Sequence, residues 1–580
     1  MSELIDVALA KEKADLIVAN GTLVNVYTGE LLEETGVAVK GEYVAYVGPN
    51  WEGMVGADTV VIDAGGRFLV PGFIDAHAHV DNLYMVSEFV KYAVPGGTTT
   101  VITETSAVAN AMGYAGVVAF VEVLKAQPIP MYALAPAMVP AYPDFESSSN
   151  LSNEEIEGIL ELPDVVGLGE TYWPRVIQSD EDVLRRVAFA RQLHKPVQGH
   201  SAGARSNKLA AYAAAGILSC HEPITADEAM ERLRLGMHVM VRDGSMRRDL
   251  EAISSIKDRN IDLRRVVLVT DGLWPDDLLE LGCVDFLVRK AIGLGFDPMK
   301  AIQMATINPA EHFHLDHLVG GIAPGKYANL LLVPDLREVK CDCVISKGRV
   351  VAEHGRMTVP VQADAYPEAL LRTMHLPCKL VAGDFAVEAP DGPSKAQVRV
   401  MDIVGEMLVA EHHTMLPVVD GHLQADPTAD IIKVATLNRY DGLGTRFVAF
   451  LRGFGLRSGA MASSVCWDTY NIVVAGAGDD DMAVATNRLA ELQGGVVLCE
   501  EGRILEEIPL PIGGIISTLP TVDVRDRLLH IDQELVRLGC TLSNPFLTLQ
   551  TLTFTGVPHL RLTERGLLDV RHRKLVGVVV

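Results

Sequence analysis

The chain has 580 residues, of which 49% are hydrophobic and 22% charged, a globular balance too long for one hydrophobic core, so two or three domains are expected. A formal charge of −25 argues against a phosphate-tracking surface, since nucleic-acid polymers require clustered Lys and Arg as counter-charge, so no nucleic-acid partner is expected. The eight cysteines are scattered, and the one close pair, Cys341 and Cys343, has no second ligand pair beside it, so reduced structural thiols are expected.

The first segment, Met1 to Ala14, carries Glu, Asp and Lys throughout and contains no apolar stretch. Neither a secretory signal nor a membrane span is expected, which points to a cytoplasmic protein with no membrane partner. Residues 14–70 then read as short strands, Asp15–Val18, Thr22–Val24, Gly36–Val39, Tyr43–Val47 and Thr59–Ile62, separated by Gly, Asn and Pro.

From Gly72 to about Asp316 apolar strands alternate with helical stretches, such as Val165–Gly169 followed by Glu181–Leu193. Alternation of this kind produces βαβ units, and the length suits eight of them, a (β/α)8 TIM-type barrel. After Pro324-Gly325 the chain returns to strands at Ala328–Val333 and Asp342–Ser346. The expected division is a small β-rich domain from residues 1–70 and 324–382, a barrel over 71–323, and a C-terminal α+β domain over 383–580.

Catalytic groups of such barrels stand at the C-terminal ends of the strands, so polar residues that close apolar runs are the candidates. The strongest local signal is His77-Ala78-His79 at the end of Pro71–Ala76. Residues two apart on a strand share a face, so both imidazoles can reach one cation. Glu170 follows Val165–Gly169, His200 follows Lys195–Gly199, His221 follows Ala215–Cys220 and Asp271 follows Val266–Thr270.

Four histidines and two carboxylates are N and O donors suited to Zn²⁺, Mn²⁺ or Fe²⁺, and a carboxylate can bridge two cations. Two cations sharing a water lower its pKa toward neutrality and polarise an electrophilic carbon, which makes a hydrolase of a small-molecule substrate. Asp271 is the expected proton carrier, first base and then acid toward a leaving nitrogen.

With these residues on the page, the chain resembles the adenine deaminase family of the amidohydrolase superfamily over nearly its full length. The likeness runs through Asn20-Gly21, Val24–Val26, Pro71–His79, Gly97–Thr100, Gly199–Ser201, Ala213–Glu222, Leu235–Arg242 and Pro275–Leu278. It continues through Gly459–Val465, Asp481–Ala483 and Asn544–Phe546, in a C-terminal domain that sets this group apart from most amidohydrolases. The resemblance implies the same six ligands for a binuclear centre, with Glu170 in the bridging place that a modified lysine fills in many relatives. It also implies hydrolytic release of ammonia from adenine or a related aminopurine.

Four segments depart from the family pattern. Val80-Asp81-Asn82-Leu83 stands where Ile-Glu-Ser-Ser is typical, and Glu104-Thr105-Ser106-Ala107 where Asp-Pro-His-Glu is. Gly272-Leu273-Trp274 replaces Asp-Arg-His, and Cys466–Asn471 replaces His-Asp-x-His-Asn. Losing a buried hydrogen-bond partner costs about 1–3 kcal/mol, so the alternative is a retained centre acting on another cyclic amide, N-heterocycle or N-acyl compound.

Trp274 and Trp467 offer flat faces to a substrate, or else pack at a domain contact. Glu104 holds a cationic or N–H-bearing substrate, or else is a solvated strand-end carboxylate. Arg242 anchors an anionic group or pairs with a structural carboxylate. A non-catalytic relative is a third reading, disfavoured because all six ligands are present, and a homodimer is the base-rate assembly.

Overall fold

The computed structural model describes residues 1–557 and 559–580. Eight parallel strands form the centre of the molecule. In chain order they are Phe73–Ala78, Thr98–Thr103, Met131–Ala135, Val165–Tyr172, Val197–His200, Ser219–Cys220, His238–Arg242 and Val266–Val269. The first five pair in sequence, as do the last three.

Backbone bonds at the site itself close the ring. Asp271 N–H donates to His77 O (3.0 Å), and His79 N–H donates to Asp271 O (2.6 Å). Between the fifth and sixth strands side chains bridge the gap, with Ser219 Oγ donating to Gln198 Oε1 (2.8 Å) and accepting from Gly199 N–H (3.3 Å). A Cβ on Gly199 would lie 2.2 Å from Ser219 O, so only glycine allows this approach. The second and eighth strands are buried along their whole length, as strands covered on both faces must be. The (β/α)8 expectation holds.

Segments from before and after the barrel share one nine-stranded sheet, in which Phe68–Pro71 pairs antiparallel with Leu330–Val333. Two details differ from the sequence reading. Asp15–Val18 and Thr22–Val24 belong to one strand, Leu16–Asn25, whose register shifts at Gly21. Ser2–Ala8 is a helix that buries Val7 in a satellite cluster with Ile17, Ala38 and Ala45.

The C-terminal portion carries a ten-stranded sheet flanked by the helices Asp479–Glu491 and Thr521–Arg537. It is tied to the loop after His79, where Leu83 N–H donates to Ile515 O (2.7 Å) and Ser517 N–H to Leu83 O (3.1 Å). Among the described residues one helix, Ser106–Lys125, is long and apolar enough to cross a membrane; it is largely buried inside the molecule and broken at Gly113 by a φ of 65°.

Candidate metal centre

The six strand-end residues face one another. His77 Nε2 lies 3.4 Å from Glu170 Oε1 and 3.3 Å from Asp271 Oδ1, and His79 Nε2 lies 3.7 and 3.6 Å from the same two oxygens. On the other side of Glu170, His221 Nε2 is 3.1 Å from Oε1 and His200 Nδ1 is 3.7 Å from Oε2. One donor atom each from His77, Glu170, His221 and Asp271 falls within 4.8 Å of all the others. Glu170 is the carboxylate common to both halves.

These groups fit a cation on the evidence of their own unmet bonding. Both ring nitrogens of His77 and of His200 are buried with no hydrogen-bond partner, a costly state for groups this polar unless something is coordinated there. Asp271 adopts a φ of 65°, a region few non-glycine residues occupy, and the two backbone bonds to the first strand hold it there.

Carboxylates stand behind the histidines. Glu104 Oε1 is 3.6 Å from His77 Nδ1, and Asp81 Oδ1 is 3.6 Å from His79 Nδ1, positions from which they orient the rings. Glu104 is fully buried and does not line the cavity, so neither substrate contact nor solvation describes it. Burial, followed by the charge of Glu170, pushes its carboxyl up to about 7. Gly169 makes this placement feasible, since a Cβ there would lie 2.1 Å from Glu104 Oε2.

Arg242 lines the cavity and is also paired with carboxylates. Its buried guanidinium donates to Glu222, to Asp249 Oδ2 (3.0 Å) and to Asp271 Oδ2 (3.2 Å). Replacing Arg242 by Met is expected to destabilise the fold by about 3–5 kcal/mol, because the buried carboxylates of Glu222, Asp249 and Asp271 lose a shared guanidinium. Chemical denaturation measures this, and a loss below about 1 kcal/mol would contradict the pairing.

Glu222 is the residue that the sequence reading missed. Its Oε1 lies 3.2 Å from His221 Nε2 and 3.7 Å from His200 Nδ1, which makes His200, His221 and Glu222 a second convergent group. The available signal was adjacency to His221. It was uninformative because neighbours on an extended segment normally point to opposite sides.

Above these groups opens a cavity of about 350 Å³. Leu273, Trp274, Trp467, Tyr470 and Phe554 give it an aromatic and apolar wall, with Asn82, Asp468 and Gln550 as polar points. Both tryptophans line the space and also pack, Trp274 5.4 Å from the Phe546 ring and Trp467 5.2 Å from the Phe554 ring. Trp467 Nε1 donates to Gln550 Oε1 (2.9 Å). Asp468 accepts from Tyr172 Oη (2.7 Å) and from Thr555 N and Oγ1 (2.7 and 2.6 Å). The C-terminal portion therefore forms one wall of the cavity.

Comparison with known proteins agrees with this architecture. Residues 68–351 match the model of the amidohydrolase family, and residues 406–574 match that of the adenine deaminase C-terminal domain. An adenine deaminase from Moorella thermoacetica is 40% identical over 100% of this chain and 98% of its own. One from Clostridium botulinum (strain ATCC 19397 / Type A) is 36% identical over 100% and 97%. Among solved structures, molinate hydrolase is 17% identical with a TM-score of 0.47, over 61% of this chain and 98% of its own. A β-aspartyl dipeptidase from Fervidobacterium islandicum AW-1 is 19% identical with a TM-score of 0.46, over 60% and 98%.

Proposed function

Because the chain belongs to the adenine deaminase family, we propose that it is a metal-dependent hydrolase that replaces the 6-amino group of adenine with oxygen from water and releases ammonia. The observation that carries this reading is the convergence of His77, Glu170, His221 and Asp271 beneath a cavity of about 350 Å³ with an aromatic wall. Loss of adenine absorbance with stoichiometric ammonia release tests it. Absence of both with metal-loaded protein would overturn it.

His77, His79, Glu170 and Asp271 would hold one divalent cation, and Glu170, His200 and His221 a second, with Mn²⁺, Zn²⁺ or Fe²⁺ all compatible with the donors. Bound cations supply an activated water and polarise the carbon under attack. Everything else falls to the chain. Asp271 Oδ1 takes a proton on the cavity side and returns it to the departing nitrogen, while Arg242 holds Oδ2 and keeps the carboxylate ionised between turnovers. Trp467, Tyr470 and Phe554 exclude water and present faces to a planar ring.

Metal uptake is expected to depend on pH. Burial opposes a charge on His77 and His200. Asp271 and Glu170 around His77, and Glu222 and Glu170 around His200, outweigh it in the metal-free protein and raise them from 6.5 to about 10 and about 9. Cations then displace protons, so affinity rises with pH and binding releases protons below about pH 9. The metal-free fold is expected to follow the opposite trend. Stability from these raised histidines is fully present below pH 6.5 and is lost as pH rises through 9 to 10. Calorimetry in buffers of different ionisation enthalpy, and melting of stripped protein from pH 6 to 10, check both signs.

A second reading rests on the cavity wall. Leu273, Trp274, Trp467 and Tyr470 favour an apolar ring or acyl group, so a different cyclic amide, N-heterocycle or N-acyl compound is the alternative substrate. A panel of such compounds run beside adenine separates the two. The same proposal divides the chain into residues 1–70 with 324–382, 71–323 and 383–580, and takes the enzyme as a cytoplasmic homodimer without nucleic-acid or membrane partners.

A further inference from the structure

Gln550, in the helix Pro545–Thr551 of the C-terminal portion, lines the catalytic cavity and is only 2% exposed. Trp467 grips it twice. The backbone N–H of Trp467 donates to Gln550 O (3.1 Å), and its indole Nε1 donates to Gln550 Oε1 (2.9 Å). Thr553 Oγ1 bonds both Trp467 O (2.9 Å) and Gln550 O (3.2 Å), which locks the two backbones together. An indole nitrogen can only donate, so it must face the amide oxygen, and the orientation of the Gln550 amide is thereby fixed.

The other end of that amide is unsatisfied. Nε2 is buried and, among the described residues, has no hydrogen-bond partner. A buried N–H without an acceptor is costly, and here it belongs to a residue of the cavity wall whose side chain is already held in one orientation. Trp467 stands in Cys466–Asn471, where the chain departs from the pattern typical of the adenine deaminase family, so the bond that orients Gln550 belongs to this chain's own wall. The contacts step outward from the metal centre, with the Phe554 ring 5.9 Å from His200 and 5.2 Å from Trp467.

We propose that Gln550 is a specificity-determining residue that donates Nε2–H to an unprotonated ring nitrogen on the part of the substrate away from the carbon under attack, with Trp467 as the positioning residue that aims it. The inference rests on the reading of the chain as an adenine deaminase. In adenine the acceptors that do not adjoin the reacting carbon are N3 and N7. A base with C–H in that place leaves the donor unpaired, and a site built to hydrogen-bond its substrate rejects such an analogue far more strongly than an apolar wall does.

The test compares adenine with 3-deazaadenine and 7-deazaadenine, each with one ring nitrogen replaced by C–H, on the full-length, metal-loaded protein and on two variants. In the unaltered protein one of the two analogues is expected to lose about 10- to 100-fold in kcat/KM relative to adenine. Gln550→Met, similar in shape but without a donor, lowers kcat/KM for adenine and shrinks the ratio for that analogue by about tenfold. Trp467→Phe keeps an aromatic face and removes the indole N–H, so it shrinks the same ratio by a smaller factor as the amide becomes free to turn. It also leaves Gln550 in place, and decides the matter if Gln550→Met does not fold. Differences in intrinsic reactivity among the three bases are the same for every protein and cancel when the ratios are compared. A purely structural role for Gln550 would slow all three bases alike, and unchanged ratios in the variants overturn the proposal. Turnover of adenine with unchanged ratios defeats this inference alone, whereas no turnover of adenine by the unaltered protein defeats the deaminase reading and this inference with it.

Discussion

Replacing Asp271 by Asn is expected to lower kcat by about 10²- to 10⁴-fold per bound metal, the range for removing a positioned proton carrier. Asparagine preserves shape and a coordinating oxygen but cannot accept the proton. The backbone that holds the side chain in place is tied to the first strand by Asp271 N–H to His77 O and His79 N–H to Asp271 O, so the substitution leaves the frame standing. Burial works against the charge of Asp271, yet His77, Arg242 and His221 hold its carboxyl far below the usual range, so it is ionised and ready to act as a base. The loss should therefore appear in kcat rather than KM, and normalising rates to metal content separates proton transfer from coordination. A fall of less than tenfold would assign the proton to another group, with Glu222 the next carboxylate on the cavity wall.

His200→Ala is expected to bring turnover below detection and to reduce bound metal from about two ions per chain to about one, since a three-ligand site rarely survives the loss of an imidazole. The variant also removes the ring that lies 3.7 Å from both Glu170 Oε2 and Glu222 Oε1. Two carboxylates then repel across the vacated volume. Metal analysis by mass spectrometry beside the ammonia assay measures both effects, and unchanged activity would remove His200 from the ligand set. Chemical rescue with imidazole offers a control, because the lost ring can diffuse into the cavity that Tyr172 and Phe554 border.

How far the site can be read from the sequence differs from residue to residue. His77, His79, Glu170, His200, His221 and Asp271 each close an apolar run, and periodicity with barrel geometry places such residues at one end of the molecule. Glu104 also follows a strand, Thr98–Thr103, yet it stands behind His77 rather than in the cavity wall. The deciding factor is the empty space left by Gly169 on a strand 65 residues later, which no local pattern encodes. Arg242 stands at a strand end too, and its choice of Glu222, Asp249 and Asp271 as partners depended on three separate loops meeting.

By itself the sequence determined the alternation of strands and helices, the acidic overall composition, the donor types at the strand ends and membership in a metal-dependent hydrolase family. These are properties of local periodicity, composition and residue chemistry, which survive without knowledge of contacts. Only the tertiary structure decided that Glu222 turns toward His200 and His221, that Glu104 and Asp81 stand behind two histidines, and that Trp467, Asp468 and Tyr470 come from a distant domain to complete the cavity. Those arrangements follow from the closure of the barrel and the docking of the C-terminal portion on Leu83, long-range events in which the direction of a side chain is set by the volume its neighbours leave free.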